Sequence, residues 1–166
     1  MSMAQIVRSM KADMKKVYYN GNQIKGFLLE IIRQMSEAQY KPNYIAAINR
    51  GGVNPGVKLS HYLNVPLYVL HKDESNLWMV DDALEGKNIL VIDDINDTGK
   101  TWIDLQQDWQ NNNQSWEKIW HNNVKYAVCI ENVSSMSTAD FVGLEINKLE
   151  NPEWCVFPWE EWWLLK

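Results

Sequence analysis

A short acidic segment, residues 91–101, carries side chains suited to binding a sugar that bears phosphate. Its sequence is VIDDINDTGKT, which sets Asp93, Asp94 and Asp97 close behind an apolar run. Carboxylates at a strand end can accept hydrogen bonds from sugar hydroxyls or ligate Mg²⁺ through oxygen. Small and hydroxyl-bearing residues follow where a helix is predicted to begin, namely Thr98, Gly99, Lys100 and Thr101. Because a helix N-terminus presents free N–H groups and a positive dipole end, this half of the segment predicts a phosphate site.

Two other structures share parts of this pattern. A nucleotide-binding P-loop also contains Gly-Lys-Thr, but it needs a glycine five positions before that glycine, where this chain has Asp94. The P-loop is therefore excluded. The other is a turn whose solvated acids cap a helix, and the segment alone leaves it open. Three carboxylates this close together need a cation or several donors beside them, which favours the binding site.

A second candidate site, Arg50-Gly51-Gly52, follows the apolar run YIAAI. The Arg50 guanidinium and the backbone N–H groups of Gly51 and Gly52 can hold pyrophosphate beside Mg²⁺. Taken alone, these three residues are more typical of an ordinary tight turn. In an open parallel sheet, however, ligands bind beyond the carboxyl ends of the strands, so both segments are expected at one edge of the sheet.

The elements that must position these residues alternate between helices and strands. Apolar residues at helical spacing predict helices at residues 22–37, 55–63 and 101–110. Uninterrupted apolar runs predict strands at residues 44–48, 65–70, 88–92 and 124–130. Such strands are typical of a parallel sheet covered by helices on both faces, so the predicted fold class is α/β. No element is assigned to the polar stretch 71–87 or to the tryptophan-rich tail.

Composition limits the class of protein. The 166 residues suffice for one domain with a single core, and 46% hydrophobic with 22% charged residues is typical of globular proteins. The formal net charge of −5, with 16 scattered Lys and Arg, argues against a nucleic-acid partner. The two cysteines lack disulfide-framework or zinc-site spacing, and no long apolar run could span a membrane. These features predict a soluble protein of the reducing cytoplasm.

The chemistry-bearing segments resemble those of a known family. The phosphoribosyl pyrophosphate signature of type I phosphoribosyltransferases is similar to VIDDINDTGKT: apolar positions, two acids, two spacers and Asp-Thr-Gly-x-Thr. The pyrophosphate loop and following helix of xanthine-guanine phosphoribosyltransferases resemble AAINRGGVNPGVKLSHYL, residues 46–63. A stretch near the purine pocket of the same subgroup is similar to WCVFPWE, residues 154–160.

This resemblance implies a fold, a reaction and an assembly. The fold is a single domain over residues 1–166, a mainly parallel sheet flanked by helices, with a small hood built from the N-terminal and C-terminal segments. The reaction is Mg²⁺-dependent transfer of phosphoribose from phosphoribosyl pyrophosphate to a purine base such as xanthine, guanine or hypoxanthine, giving nucleoside monophosphate and pyrophosphate. The resemblance also implies a homo-oligomer. Trp159, Trp162 and Trp163 in the tail suit core packing or a subunit contact.

On the sugar side, the resemblance implies that Arg50 and Gly51 hold the pyrophosphate group. Asp93 and Asp94 would contact the ribose hydroxyls, with Asp94 as the Mg²⁺ ligand. Residues 97–101 would enclose the 5′-phosphate.

On the base side, the resemblance implies that Asp97 is the general base, that Trp154 covers the purine face and that backbone groups around Cys155 bind the ring edge.

The chain departs from the family at Asn132, where relatives carry a lysine that donates to the oxygen at position 6 of the base. Asparagine both donates and accepts, so the choice among 6-oxo purines, 6-amino purines and other bases stays open. The loop between positions 70 and 86 contains Lys72 as its only Lys or Arg, whereas relatives place an arginine later in it.

Two other functions remain open from the sequence. One is a regulatory protein of the same fold that binds phosphoribosyl pyrophosphate or a nucleotide without catalysis, which Asn132 and the cation-poor loop favour. The other is transfer to a pyrimidine, which the Trp154 segment disfavours. Retention of Arg50 and Asp97 favours the enzyme.

Overall fold

Alternating strands and helices build the fold. The computed structural model describes residues 1–71, 76–112 and 118–164. The helices are α1 (Met3–Asp13), α2 (Gly21–Glu37), α3 (Val53–Leu63), α4 (Leu77–Leu84) and α5 (Lys100–Asn112). The strands are β1 (Lys15–Tyr18), β2 (Tyr44–Ile48), β3 (Leu67–Leu70), β4 (Ile89–Asn96), β5 (Val124–Asn132), β6 (Phe141–Ile146) and β7 (Glu153–Val156). A short 3₁₀ helix, Trp162–Leu164, follows them.

A five-stranded sheet with the strand order β3-β2-β4-β5-β6 lies at the centre of the molecule. All neighbouring strands in it are parallel. Alternate residues of β4 enter two hydrophobic cores, Leu90 and Ile92 on the face of α2 and α3, and Ile89 and Val91 on the face of α4 and α5. Strands buried on both faces must be apolar at every position, so the predicted α/β class and parallel sheet are confirmed.

Helix α2 agrees with the predicted boundaries to within one residue. Asn20 and Gln23 begin it with a capping box, in which each side chain accepts the other residue's backbone N–H, at 2.9 and 2.8 Å. The Gln34 side-chain amide bonds to the Val142 N–H and carbonyl, at 2.9 and 2.8 Å. The helix thus packs on the sheet and also covers the edge strand β6. Its buried residues are Ile24, Leu28, Ile31 and Met35.

Segments from both ends of the chain meet in a second, two-stranded sheet. Strand β1 runs parallel to β7, with Val17 opposite Cys155. The Tyr19 and Phe157 rings stack with 6.2 Å between their centroids and belong to the first hydrophobic core. This sheet is the small hood that the sequence predicts.

Strand β4 is longer than the predicted 88–92 and carries the acids within its ladder. Asp93 lies opposite Val128, and Asn96 lies opposite Glu131. The strand continues past its apolar run because β5 supplies backbone partners up to its own polar end.

Several elements escaped prediction for identifiable reasons. Helix α4 lies in the stretch 71–87 and buries only Met79, Val80 and Ala83, too few residues for a periodic signal. Strand β6 contains Gly143 and buries only Phe141 fully, so it lacks a continuous apolar run. Strands β1 and β7 have four residues each. Lys72 lies outside the described residues.

The three tail tryptophans differ in burial. Trp159 packs against the first hydrophobic core and stacks on Phe157 with 5.0 Å between the ring centroids, so core packing is confirmed for it. Trp162 and Trp163 are 65% and 66% exposed, so core packing is wrong for them, and the subunit contact stays a prediction. In the described part of the chain, no helix combines the length and the apolar character needed to cross a bilayer.

Candidate active site

Asp93 and Asp94 lie at the carboxyl end of β4, in the centre of the candidate site. Asp93 Oδ1 accepts the Asp94 N–H at 2.8 Å, and Asp94 Oδ1 accepts the Ile95 N–H at 2.7 Å. Burial raises the pKa of both carboxyl groups, and the charge of Asp94 raises the pKa of Asp93 further. Within the described residues, neither acid forms an ion pair with Lys, Arg or His. A buried and a half-buried acid without a cationic side-chain partner suit a bound cation.

The loop between β2 and α3 lies directly against this acid pair. A Cβ atom added to Gly51 would lie 2.1 Å from Asp94 Oδ2, and one added to Gly52 would lie 2.2 Å from the Ile92 carbonyl oxygen. The peptide bond between Asn49 and Arg50 is cis. The two glycines permit a backbone approach that a larger residue would block, so the two strand-end segments share one site.

The start of α5 forms the other side of the site. Gly99 has φ of +89°, and a Cβ atom there would lie 2.7 Å from the Ser137 nitrogen. Thr98 and Thr101 are exposed, as the predicted phosphate contacts require. Lys100 Nζ pairs with Asp104 Oδ2 at 2.5 Å, one turn along the helix. The side chain of Lys100 is therefore directed along α5, and its backbone is the part that belongs to the helix N-terminus.

Two buried polar side chains, Asn96 and Glu131, hold the segment that packs against the start of α5. Asn96 Nδ2 lies 2.9 Å from Glu131 Oε1 and 2.8 Å from the Ser137 carbonyl oxygen. Glu131 Oε1 also accepts the Ala139 N–H at 2.7 Å. These bonds hold the segment after β5 against Gly99. Sequence reasoning missed Asn96 and Glu131, although each is a polar residue that follows an apolar run of the predicted sheet, Glu131 directly and Asn96 after three further residues.

The predicted base-side residues meet around Asp97. Asn132 Nδ2 donates to the Asp97 carbonyl oxygen at 2.9 Å and lies 3.5 Å from its Oδ1. Lys148 Nζ, from the connection between β6 and β7, lies 3.0 Å from Asp97 Oδ2. The same ammonium group lies over the Trp154 ring, 5.5 Å from its centroid. Lys148, which no sequence pattern singled out, therefore joins the predicted general base to the predicted stacking residue.

Cys155 and Glu160, from the C-terminal segment, lie near charged residues of the site. The Cys155 thiol is buried, which raises its pKa to about 11, while the positive charge of Lys148 opposes that shift. The thiol is thus protonated near pH 7. Burial and then the charge of Asp94 raise the pKa of Glu160, and Arg50 opposes them. Glu160 is therefore a further acid near both strand-end segments, and its spacing in the sequence did not identify it.

The family model of the phosphoribosyl transferase domain matches residues 15–160. This range contains both strand-end segments, Asn132, Lys148 and the hood segment with Trp154. The chain belongs to the phosphoribosyltransferase family, a class of glycosyltransferase enzymes. The resemblance inferred from the sequence is confirmed at the level of the family.

Solved structures with the same fold include two purine enzymes. The purine phosphoribosyltransferase from Pyrococcus horikoshii is 25% identical, with a TM-score of 0.64 over 89% of this chain and 96% of that one. The xanthine-guanine-hypoxanthine phosphoribosyltransferase of Helicobacter pylori is 19% identical, with a TM-score of 0.66 over 89% and 95%. A hypothetical protein from Neisseria gonorrhoeae with bound ppGpp is 22% identical, with a TM-score of 0.62 over 88% and 89%. No curated protein sequence matches the chain.

Proposed function

We propose that this protein transfers phosphoribose from phosphoribosyl pyrophosphate to a purine base of the xanthine, guanine or hypoxanthine type, as one domain over residues 1–166. One observation carries the proposal: the Asp94 carboxylate lies directly against Gly51, so the acid pair, the Arg50 loop and the start of α5 share one edge of the sheet. A sugar with phosphate groups at both ends needs these three features together. The Pyrococcus and Helicobacter proteins are purine phosphoribosyltransferases, which supports a purine as acceptor.

At the pyrophosphate end, Arg50 and the N–H of Gly51 would donate to phosphate oxygens, and Asp93 and Asp94 would accept from the ribose hydroxyls. Asp94 would hold Mg²⁺, which when bound neutralises charge on the leaving pyrophosphate. Among residues 1–71, 76–112 and 118–164, no group of three or more His, Cys, Asp or Glu could hold a metal ion. Mg²⁺ commonly takes only one or two carboxylates and completes its shell with substrate phosphates, so the acid pair fits this ion.

At the other end, the N–H groups that begin α5 and the hydroxyls of Thr98 and Thr101 would bind the 5′-phosphate. The helix dipole favours the dianion there. Fixing both phosphate ends holds the anomeric carbon in place while its bond to pyrophosphate oxygen breaks and the bond to the base nitrogen forms.

Asp97 would take the proton that the purine imidazole ring loses. Its side chain is 37% exposed, so a ligand can reach the carboxylate. Asn132 and Lys148 contact its carbonyl and its carboxylate from two sides, which orients the acceptor oxygen.

An assay of pyrophosphate release with Mg²⁺ and a panel of bases tests the proposal. Release should depend on a purine, and Asp97→Asn should lower kcat by about 100- to 10,000-fold because the proton acceptor is lost. Asp104→Asn is the matched control, since Asp104 is an acid on α5 that pairs with Lys100 instead. Full activity of Asp97→Asn, or no base dependence, contradicts the proposal, and uracil as the best acceptor supports a pyrimidine enzyme.

A non-catalytic protein that binds phosphoribosyl pyrophosphate or a nucleotide is the second candidate. Asn132 favours it, because its amide is engaged with Asp97, Ser134 and the Lys148 backbone. The Neisseria protein, solved with ppGpp, has the same fold. Calorimetric binding of nucleotide without base-dependent pyrophosphate release would favour this candidate.

A further inference from the structure

Lys148 is a charged residue held inside the candidate site. Its side chain is 11% exposed, although lysine side chains are seldom buried unless they are paired. The backbone N–H of Lys148 donates to Asn132 Oδ1 at 3.0 Å, which fixes the chain at this position. Its ammonium group lies 3.0 Å from Asp97 Oδ2 and over the Trp154 ring. The lysine is therefore anchored at both ends, with its donors between the two residues proposed to contact the base.

Asn132 serves to position the groups around it. Its Nδ2 donates to the Asp97 carbonyl, and its Oδ1 accepts from the Ser134 hydroxyl at 2.8 Å and from the Lys148 backbone. The Asn132 oxygen thus has two partners within the protein, and a buried polar group left without a partner costs free energy. Lys148 is the cationic side chain that contacts both Asp97 and Trp154.

The arrangement of atoms along a purine edge determines which of them would lie next to the Lys148 ammonium group. The imidazole nitrogen N7 and the substituent at position 6 lie side by side on one edge of the ring, as in guanine, where N7 and O6 are adjacent acceptors. A base stacked on Trp154 with N7 toward Asp97 places its 6-substituent beside the ammonium group that contacts both residues. An ammonium group only donates, so it can bond to an oxygen at position 6 but meets a second donor in an amino group.

We propose that Lys148 is a specificity-determining residue that selects purine bases with an oxygen at position 6 over those with an amino group. The inference rests on the proposed function, and it assigns the donor to the β6–β7 connection and a positioning role to Asn132. It assigns the discrimination between the proposed 6-oxo acceptors and adenine to one side chain.

The test compares Lys148→Met with the wild-type protein on hypoxanthine and adenine. The wild type should have the higher kcat/KM with hypoxanthine, and Lys148→Met should lower the hypoxanthine-to-adenine ratio about 10- to 100-fold, because a charge-assisted hydrogen bond is lost. Lys125→Met is the matched control, since Lys125 also lies over aromatic rings, those of Tyr40 and Phe141, but at the opposite end of β5. Equal loss with both bases, or a wild type that prefers adenine, overturns the inference.

Nucleotide binding separates this inference from the proposed function. Calorimetry with inosine monophosphate and adenosine monophosphate needs no turnover, and the wild type should bind the 6-oxo nucleotide more tightly, with a preference that Lys148→Met loses. If the wild type shows this pattern but no pyrophosphate release, the proposed function fails and the inference holds. Equal affinity for the two nucleotides, no binding of either, or a preference that survives in the variant overturns it.

A second variant covers the case in which Lys148→Met does not fold, as judged by circular dichroism. Lys148→Gln keeps a polar side chain whose amide both donates and accepts, so it should lower the same ratio. Lys148→Arg keeps a donor-only cation and should retain more of the hypoxanthine preference than Lys148→Gln does. The reverse order of these two variants also contradicts the inference.

Discussion

The two halves of the candidate site are built in different ways. The half proposed to hold the sugar and phosphates comes mainly from residues 93–101, which follow one another along β4 and into α5. The half proposed to hold the base combines Asp97, Asn132, Lys148 and Trp154, which lie far apart in the chain. The first half depends on close backbone approaches at glycines, and the second on contacts between side chains. We therefore expect substitutions on the base side to disturb the sheet less than substitutions at the glycines of the sugar side.

The largest effect should come from Gly99→Ala. The added Cβ would lie 2.7 Å from the Ser137 nitrogen at a positive φ, so we expect a loss of about 3 kcal/mol in the free energy of unfolding. Gly86→Ala is the control, because Gly86 has a φ of +92° with nothing within 4 Å, and it should cost about 1 kcal/mol. Urea unfolding measures both. Equal losses would mean that the contact with Ser137 contributes nothing beyond backbone strain.

Gly51→Ala should have the next largest effect, on activity with every base. The added methyl group displaces either the Arg50 loop or the Asp94 carboxylate, and a displacement of about 1 Å at a reacting site can cost about 100-fold in rate. Gly26→Ala in α2, where nothing lies within 4 Å, should keep full activity and gain about 1 kcal/mol in stability. Steady-state kcat/KM with several bases tests this. A loss of kcat/KM with one base only would mean that Gly51 affects base binding, which contradicts the division of the site into two halves.

Trp154→Ala should have the smallest effect, and this effect should be limited to binding of the base. Loss of an aromatic stacking partner should raise the KM for the base about 10-fold and leave the KM for phosphoribosyl pyrophosphate unchanged. Trp162→Ala, at an exposed tryptophan of the tail, is the control and should change neither constant. A matching rise in the KM for phosphoribosyl pyrophosphate would show that the two halves are coupled.

The sequence predicted the strand and the helix start that carry the proposed sugar side, because the signals for these elements are local. An apolar run that ends in acids and continues into a helix fixes the strand, the turn and the helix start together, and the structure brings Gly51 to Asp94 as a parallel sheet requires. Asp93 and Asp94 differ from expectation only in lying within β4, because pairing with β5 extends the strand past its apolar residues.

The base side was predicted only in part because its contacts depend on elements without a periodic signal. Lys148 follows β6, a strand interrupted by Gly143, and no spacing relates Lys148 to Asp97. The family pattern directed attention to Asn132, which the structure places beside Asp97 with its amide bonded to protein groups. The contacts of Asn132 and Lys148 with Asp97 are therefore a property of tertiary packing.

The parallel pairing of β1 with β7 has a consequence for the order in which the molecule forms. During synthesis β1 emerges early and has no partner until Glu153–Val156 has been made, after every strand of the central sheet. The two-stranded sheet, and with it Trp154, is therefore the last part of the candidate site that can form. A ribosome stalled just before β7 would hold a chain that has Asp93, Asp94 and Asp97 but neither Trp154 nor the strand on which β1 closes.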